Sequence, residues 1–474
     1  MKNVAMCALV AAFGVAGNAA ELEVDFTKDL GSVRPALHSS GWAPRSSVRF
    51  IRNDDAAIKA MNLDYARTHD WALVNAGQRV VDYQYIFPLF DRDPKDPANY
   101  YFAATDHLLS LARGVGQKIF YRLGTSIEHS DGVHFNACVP KDFDKTAEIF
   151  AATIRHYNRG WADGHEWDIR YWEIWNEPDG TGNMWCLPES EGGKDAKLMR
   201  DKFIAFFVTV LKRLKREFPD VKVGGPALCW FDTAYFRPLL KACQDAGVAP
   251  DFISWHYYGA DPDVLLDWTR SARKLCDEFG FTKTELIINE YHYLLSWDGL
   301  HGRNSTPAMV KRALDGPTGH NNIDSACFYL TMLSRFHDSP LDQAYWYGCA
   351  HQGNWGYMDE YKQFNKPYYA AKLFGEIIRD YPKLGEVRNQ GTVTTFVAKS
   401  DDGRQTALLV TDYRGTEQVI SIKTKGLGPV ERVSAIVLDH TRDNFPCEVD
   451  WRDGELTLVK PDKNSAAYLV KFKR

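Results

Sequence analysis

From about residue 34 to residue 380 the chain alternates short β-rich runs with amphipathic stretches. The strand candidates are Arg34–His38, Tyr65–Thr68, Lys118–Arg122, Ile169–Trp175, Val221–Gly224, Phe252–His256, Leu286–Asn289 and Gln343–Tyr347. The clearest amphipathic stretch runs from Ala196 to Phe218, where Leu198, Phe203, Phe207, Val210, Leu211 and Leu214 recur at helical spacing. A second follows Asp142, a suitable N-cap, through Ile149, Ile154 and Tyr157. A third spans Val264 to Phe279 and stops at Gly280. Eight strand–helix alternations predict a parallel sheet, and eight is the number that closes a (β/α)8 barrel. The open doubly wound sheet is the alternative. It wants a glycine-rich phosphate turn after its first strand, and none is present.

From about Leu384 the pattern changes. Thr392–Ala398, Thr406–Thr411, Gln418–Lys423, Arg432–Leu438, Leu456–Val459 and Ala466–Phe472 are short and often alternating, with turn signals such as Asp401-Asp402-Gly403 and Arg414-Gly415 between them. This predicts a small antiparallel β-sandwich over residues 384–474 beside a barrel over 34–383. Glu21–Phe26 alternates in the same way and has no barrel role, so residues 21–33 are expected to lend a strand to that sandwich. No internal repeat or low-complexity linker interrupts the order.

Residues 1–20 have the layout of a secretory signal peptide: Lys2, an apolar run from Val4 to Val15, then small residues before Glu21. The run is too short for a permanent anchor, Cys7 lies too early for a lipoprotein box, and no later segment has about 18 apolar residues in a row. A secreted or periplasmic protein without a membrane anchor is the expectation. A net charge of −5 gives no reason to expect nucleic acid as a partner. Oligomeric state is not readable. The 14 Trp, 23 Tyr and 26 Phe are mostly core by size, although some Trp rings can serve as platforms for sugar faces.

An oxidising destination permits disulfides. Besides Cys7 the chain has Cys138, Cys186, Cys229, Cys243, Cys276, Cys327, Cys349 and Cys447. Cys138 and Cys186 both fall in irregular segments after barrel strands and are expected to pair. No CxxC spacing occurs, which speaks against a zinc site. Neither a metal nor a cofactor is expected.

The strongest chemical signal is Tyr171-Trp172-Glu173-Ile174-Trp175-Asn176-Glu177-Pro178. The proline stops the strand and leaves Glu177 at the rim where barrel enzymes carry their chemistry. Strict alternation would put Glu173, Trp175 and Glu177 on one face and Trp172, Ile174 and Asn176 on the other. For a lone glutamate, capping of the next helix is the commoner role. The second signal is Leu286-Ile287-Ile288-Asn289-Glu290-Tyr291, where a buried parallel strand ends in a carboxylate. Glu285, at the opposite end, is the weaker candidate. Two carboxylates across a barrel mouth divide the work of cleaving an acetal: one donates a proton, the other attacks the anomeric carbon. Charge arguments alone leave their order open.

Other strand ends carry polar groups. The second ends in Tyr65-Ala66-Arg67-Thr68-His69-Asp70 and the sixth in Ser254-Trp255-His256-Tyr257-Tyr258. His69 and His256, at equivalent rim positions, are candidates for sugar hydroxyls, and each alone is as readily structural. Arg67 either holds a catalytic carboxylate ionised or pairs within the barrel. Tyr258 either hydrogen-bonds Glu290 or packs. Trp346, ending the eighth strand, either floors a sugar ring or belongs to the core.

At these residues the sequence resembles glycoside hydrolase family 39, the β-xylosidase and α-L-iduronidase group of the (β/α)8 clan with paired glutamates. Leu37-His38-Ser39-Ser40-Gly41-Trp42, Leu63-Asp64-Tyr65-Ala66-Arg67-Thr68-His69, Trp175-Asn176-Glu177-Pro178, Val223-Gly224-Gly225-Pro226-Ala227 and Phe252-Ile253-Ser254-Trp255-His256 carry the likeness along the barrel. The resemblance implies that Glu177 is the acid/base and Glu290 the nucleophile. It also implies that Asn176 meets the sugar 2-hydroxyl, that His256 touches the sugar or the nucleophile, and that His38 belongs to the sugar-binding set. Asn289-Glu290-Tyr291-His292 departs from the commoner Thr-Glu-Trp-Asn type. The family also builds its β-sandwich partly from the chain's N-terminus. The expected activity is retaining, exo-acting glycoside hydrolysis on a carbohydrate substrate, because the long segments Thr125–Lys141 and Asp179–Lys194 can close one end of a cleft. An endo-glycanase, a β-glucuronidase-like enzyme and an inactive sugar-binding barrel are the alternatives. The sugar itself is not readable.

Overall fold

The computed structural model describes residues 21–41, 55–69, 71, 79–126, 137–180, 184–298, 300, 305–314, 316–349, 355–358 and 363–474. The segment expected to be a signal peptide lies outside these residues, as do Trp42, Asp70 and parts of the loops after the third and fourth strands.

Eight parallel strands close a barrel in sequence order: Ser39–Ser40, Tyr65–Arg67, Lys118–Leu123, Tyr171–Ile174, Lys222–Leu228, Phe252–Gly259, Glu285–Tyr293 and Gln343–Trp346. The eighth returns to the first through Tyr345 beside Ser39 and Trp346 beside Ser40. The first strand differs from the expected Arg34–His38. Pro35 opens a single 3-10 turn over Pro35–Leu37, closed by the His38 N–H on the Pro35 carbonyl, and pairing begins only at Ser39. The expected helices form where the apolar period placed them. Ala196–Glu217 starts at Asp195, whose carboxylate accepts the Lys197 and Leu198 N–H groups, and it buries Phe203, Phe207, Val210, Leu211 and Leu214. Phe143–Arg159 starts at Asp142 and ends at Gly160 in a left-handed turn.

Inside the barrel, Tyr65, Phe120, Tyr171, Phe252, Ile287 and Tyr345 form an apolar layer. Each marks an inward position on its strand, so residues two further along also point inward, towards the mouth. Arg67, Arg122, Glu173, Ser254 and Tyr347 thereby reach the level above. Gly224 permits the close fit of the fifth strand against the sixth, since a β-carbon there would lie 2.1 Å from the Phe252 carbonyl oxygen.

The C-terminal region is two packed sheets. A seven-stranded sheet runs Asp443–Cys447, Arg432–Leu438, Ala466–Lys473, Gln405–Asp412, Val393–Lys399, Lys383–Gln390 and Gly31–Ser32. A four-stranded sheet holds Glu21–Asp25, which pairs in parallel with Val419–Lys425, followed by Glu455–Val459 and Asp450–Arg452. Leu22, Val24, Val397, Leu408, Val410, Ile422 and Val470 fill the space between them. The barrel helix Ile323–Phe336 is bound to this region through Asp324, which accepts from Ser465 Oγ at 2.5 Å and pairs with Arg414 at 3.3 Å.

Candidate active site

Local breaks in strand alternation build the site. On the fourth strand Tyr171 and Glu173 face inward, but Trp175 has φ 75° and Glu177 φ 46°, conformations uncommon outside glycine. The chain rotates at Trp175, whose ring leaves the barrel to pack on Trp185 and Phe206 while its Nε1 donates to the Met184 carbonyl at 2.7 Å. Asn176 and Glu177 are both turned to the mouth as a result. The alternation expected from the sequence fails here: Trp175 does not share a face with Glu173 and Glu177, and Asn176 joins them. On the seventh strand the register shifts from Trp255 beside Ile288 to His256 beside Glu290. This bulge makes Asn289 an extra residue, so Asn289 and Glu290 both face inward.

One oxygen of Glu177, one of Glu290 and one ring nitrogen of His256 lie within 4.8 Å of one another. Arg67 organises the layer beneath. Its Nε donates to Glu173, its Nη1 to Glu290 and its Nη2 to Asn176 Oδ1, each at 2.7 Å, and its side chain is wholly buried. Glu173, equally buried, also accepts from Ser254 Oγ at 2.7 Å and Asn289 Nδ2 at 2.6 Å. The second oxygen of Glu290 accepts the Tyr258 hydroxyl at 2.6 Å. His256 Nδ1 lies 2.8 Å from Glu177 and 3.4 Å from Glu290, and His69 Nε2 is 3.7 Å from Glu290. Arg67, His69, Asn176, Glu177, His256, Tyr258 and Glu290 thus converge on one place. Metal-like spacing exists in the Glu177–His256–Glu290 trio, but the Arg67 guanidinium already supplies the positive charge that Glu290 needs.

Two expected members are elsewhere. His38 is fully buried outside the barrel, with Nε2 against the Met61 carbonyl at 2.8 Å and Nδ1 against the Tyr329 hydroxyl at 2.8 Å. Both ring nitrogens are used, so it is a packing residue and not a sugar contact. Trp346 is also fully buried, 4.0 Å from the His292 ring and 4.7 Å from Tyr329. Because Tyr345 faces inward, Trp346 must face the helices. Its neighbour Tyr347 takes the mouth position, in an aromatic group with Tyr258, Trp297 and Trp355.

Residues missed from the sequence complete the picture. Glu173 is the hub of the buried network, and its signal was present: an acid inside an otherwise apolar barrel strand demands a cation, and Arg67 sits at the matching level. Asp179 Oδ1 accepts the Cys229 N–H at 3.0 Å, and the Cys229 thiol lies against both Asp179 and Glu177. Nothing in the local pattern distinguished Cys229 or Asp179 from ordinary loop residues.

The electrostatics separate the two glutamates. Burial pushes Glu177 up to about 6, against weaker pulls from the Cys229 thiol and Arg67. Burial also raises Glu290, reinforced by the neighbouring Glu177 and opposed by Arg67 and the Tyr258 hydroxyl. Glu290 therefore has a guanidinium and a phenol donating to its charged form, whereas Glu177 faces an imidazole and a thiol. Burial holds His256 down at about 4, so that ring is neutral.

The closed eight-stranded barrel thus carries two facing glutamates at its mouth, one after the fourth strand and one in the C-terminal half of the seventh. Residues 16–269 match the model of glycosyl hydrolases family 39, and the chain belongs to that family. The match includes Glu177 and stops short of Glu290. A β-xylosidase of Geobacillus stearothermophilus is 25% identical over 260 residues, covering 50% of this chain and 46% of that protein, so the match spans about half the relative's length. A glucosidase structure from Croceicoccus marinus superposes with a TM-score of 0.74 at 19% identity, covering 97% of this chain and 100% of that one. A GH51 α-L-arabinofuranosidase from Thermotoga petrophila RKU-1 gives a TM-score of 0.64 at 14% identity, over 95% and 99% of the two chains. At these identities the structural likeness is one of fold. Among the described residues, no helix is long and apolar enough to cross a membrane.

Proposed function

We infer that the protein is a secreted, exo-acting, retaining glycosidase in which Glu290 is the nucleophile and Glu177 the acid/base. The observation that carries this reading is the carboxylate pair within 4.8 Å, with its donors divided unequally. Retaining enzymes place the carboxyl groups about 5–5.5 Å apart, whereas inverting enzymes leave about 6.5–9.5 Å for a water. In the first step a Glu290 oxygen attacks the anomeric carbon as the bond to the aglycone breaks, and the Glu177 proton passes to the departing oxygen. In the second step Glu177 takes a proton from water, whose oxygen displaces Glu290 and frees the sugar. Arg67 and Tyr258 keep Glu290 ionised for attack. Asn176 spends its oxygen on Arg67, and its Nδ2 is buried without a hydrogen-bond partner among the described residues, which suits donation to a sugar hydroxyl.

Exo action is supported by the length of the two loops after the third and fourth strands, whose described parts pair through an isolated β-bridge between Cys138 and Cys186. Val139 N–H donates to the Cys186 carbonyl at 3.0 Å and Cys186 N–H to the Ala137 carbonyl at 3.1 Å. The aromatic group of Tyr258, Tyr347, Trp355 and the half-exposed Trp297 offers apolar faces to a sugar ring.

The β-xylosidase relative makes an aryl β-xyloside the first substrate to test, followed by glucosides and arabinosides. The expected result is hydrolysis with retained anomeric configuration, lost in Glu177→Gln and Glu290→Gln, with free monosaccharide as the first product. Oligosaccharides as first products would replace the exo reading with an endo one. Sugar binding without turnover in the wild type would replace it with an inactive barrel.

A further inference from the structure

Away from the carboxylate pair, three metal-ligating side chains meet on the helical wall of the barrel. Asp106 lies in the first turn of the helix Ala103–Gly114, and His156 in the last turn of Phe143–Arg159. His165 lies in the segment that returns to the start of the fourth strand, whereas Glu177 follows that strand's other end. One atom from each of the three lies within 4.8 Å of the others. His156 Nε2 is 3.1 Å from Asp106 Oδ1, and His165 Nε2 is 3.7 Å from Asp106 Oδ2.

The hydrogen bonding of His156 makes this more than a chance cluster. Its Nδ1 lies 2.9 Å from the Trp161 carbonyl oxygen. A carbonyl only accepts, so Nδ1 carries the proton and a neutral ring points the Nε2 lone pair at a carboxylate oxygen. Two acceptors face each other. A proton on Nε2 would reconcile that one contact, but it leaves the second histidine unexplained. His165 Nε2 is buried without a hydrogen-bond partner among the described residues, and it is the atom turned towards the same carboxylate. A cation held by both imidazoles and the carboxylate satisfies all three groups. Donation of Nδ1–H to a backbone carbonyl is also how histidine ligands are usually oriented for metal binding through Nε2.

The surroundings hold both rings in place. Phe102 stacks on His156 at 3.6 Å, and Trp167 stacks on His165 at 3.9 Å. The connecting turn includes Ala162 at φ 57° and Asp163 at φ 55°, left-handed conformations that cost alanine and aspartate energy. Gly164 passes so close to His156 that a β-carbon would lie 2.6 Å from its Nδ1. His156 is nearly inaccessible, and His165 is 32% exposed through other atoms of its side chain while its Nε2 stays buried against the carboxylate.

We propose that Asp106, His156 and His165 form a structural site for one zinc ion, tying two neighbouring barrel helices to the turn before the fourth strand. Two imidazoles and one carboxylate suit a borderline-soft dication better than calcium or magnesium, which prefer oxygen ligands. This departs from the expectation of no metal, which rested on cysteine spacing and could not see ligands that helix packing brings together.

The test uses the full chain, purified without a polyhistidine tag, treated with chelator and freed of it. Titration with zinc is expected to show one saturable equivalent and a rise in unfolding temperature of a few degrees. Cobalt at the same site is expected to give the visible absorption of a tetrahedral ion. His165→Gln, at a partly exposed position, is expected to fold, keep glycosidase activity, weaken zinc binding by at least about tenfold and abolish the cobalt spectrum. Asp106→Asn should do the same. Absence of a saturable equivalent in the wild type overturns the proposal. So does zinc binding that is unchanged in folded His165→Gln, which would place the metal elsewhere, for instance on the active-site carboxylates.

Discussion

Arg67 and Glu290 form a buried ion pair at 2.7 Å, and the same guanidinium is anchored from below by Glu173 at 2.7 Å. One cation thus serves two buried anions, and its planar fork fixes the angle at which Glu290 meets the mouth. Arg67→Ala leaves both buried carboxylates without their cation, with only neutral donors from Ser254, Asn289 and Tyr258. Urea unfolding should show a loss of about 3–5 kcal/mol, and kcat/KM should fall at least about a hundredfold. Arg67→Lys keeps the charge but not the fork, so it should recover stability more fully than activity. Equal recovery of both would mean that the geometry of the fork is unimportant.

Tyr258 donates to Glu290 Oε2 at 2.6 Å, which favours the charged carboxylate. Removing that donor raises the proton affinity of Glu290, so Tyr258→Phe should move the acidic limb of kcat/KM to higher pH. It should also lower kcat by about 10- to 100-fold, because the phenol's bond to the nucleophile must be remade as the glycosyl bond forms and breaks. An unmoved acidic limb would show that Tyr258 only packs.

In the proposed mechanism the general acid sets the other limb. Glu177 must carry its proton to assist departure, and burial places it at about 6. In the free enzyme kcat/KM should therefore decline as pH rises through about 6. A dinitrophenyl aglycone leaves without protonation, so its first step should escape that decline and be far less affected in Glu177→Gln. The same alkaline limb on both kinds of substrate would take the role of acid away from Glu177.

Much of this site was legible because barrel strands end predictably at the mouth. A carboxylate placed where an apolar run stops, as at Glu177 and Glu290, has few other places to be, and Arg67, His256 and Tyr258 follow from the same rule. What escaped were departures from period two. The left-handed turn at Trp175 brought Asn176 inward and expelled the tryptophan. Trp346 was misplaced by a single step of phase, which Tyr345 in the apolar layer settles. His38 was displaced by Pro35, which delays the first strand and leaves the histidine among the helices. The Asp106–His156–His165 cluster carries no local spacing signal, because its members come from two helices and a turn whose packing only the fold defines.

Cys138 and Cys186 are thiols whose Sγ atoms lie 3.8 Å apart across the bridge between two loops. Mild oxidation with glutathione disulfide should join them, removing two thiols from a count made on the unfolded, unreduced protein. Closing a loop of this length limits the unfolded chain, so the oxidised form should gain up to about 4 kcal/mol, and Cys186→Ser should abolish the gain. Oxidation that leaves the thiol count unchanged would exclude the bridge.

The raised proton affinity of Glu177 also makes a prediction about stability, with a definite sign. Below its ordinary value of 4.5 the carboxyl is protonated in both the folded and the unfolded chain, and burial carries no electrostatic cost. As pH rises from 4.5 through about 6, the unfolded chain releases its proton first, and the folded chain must either keep the proton or bury a charge. Stability due to this group is therefore complete at low pH and lost across that window. Glu177→Gln preserves the shape and stays neutral at every pH. At pH 7 it should exceed the wild type in stability by about 1–2 kcal/mol, read as a higher Tm, while at pH 4 the two should unfold together. A difference of equal size at both pH values would trace the effect to packing and not to the burial of a charge.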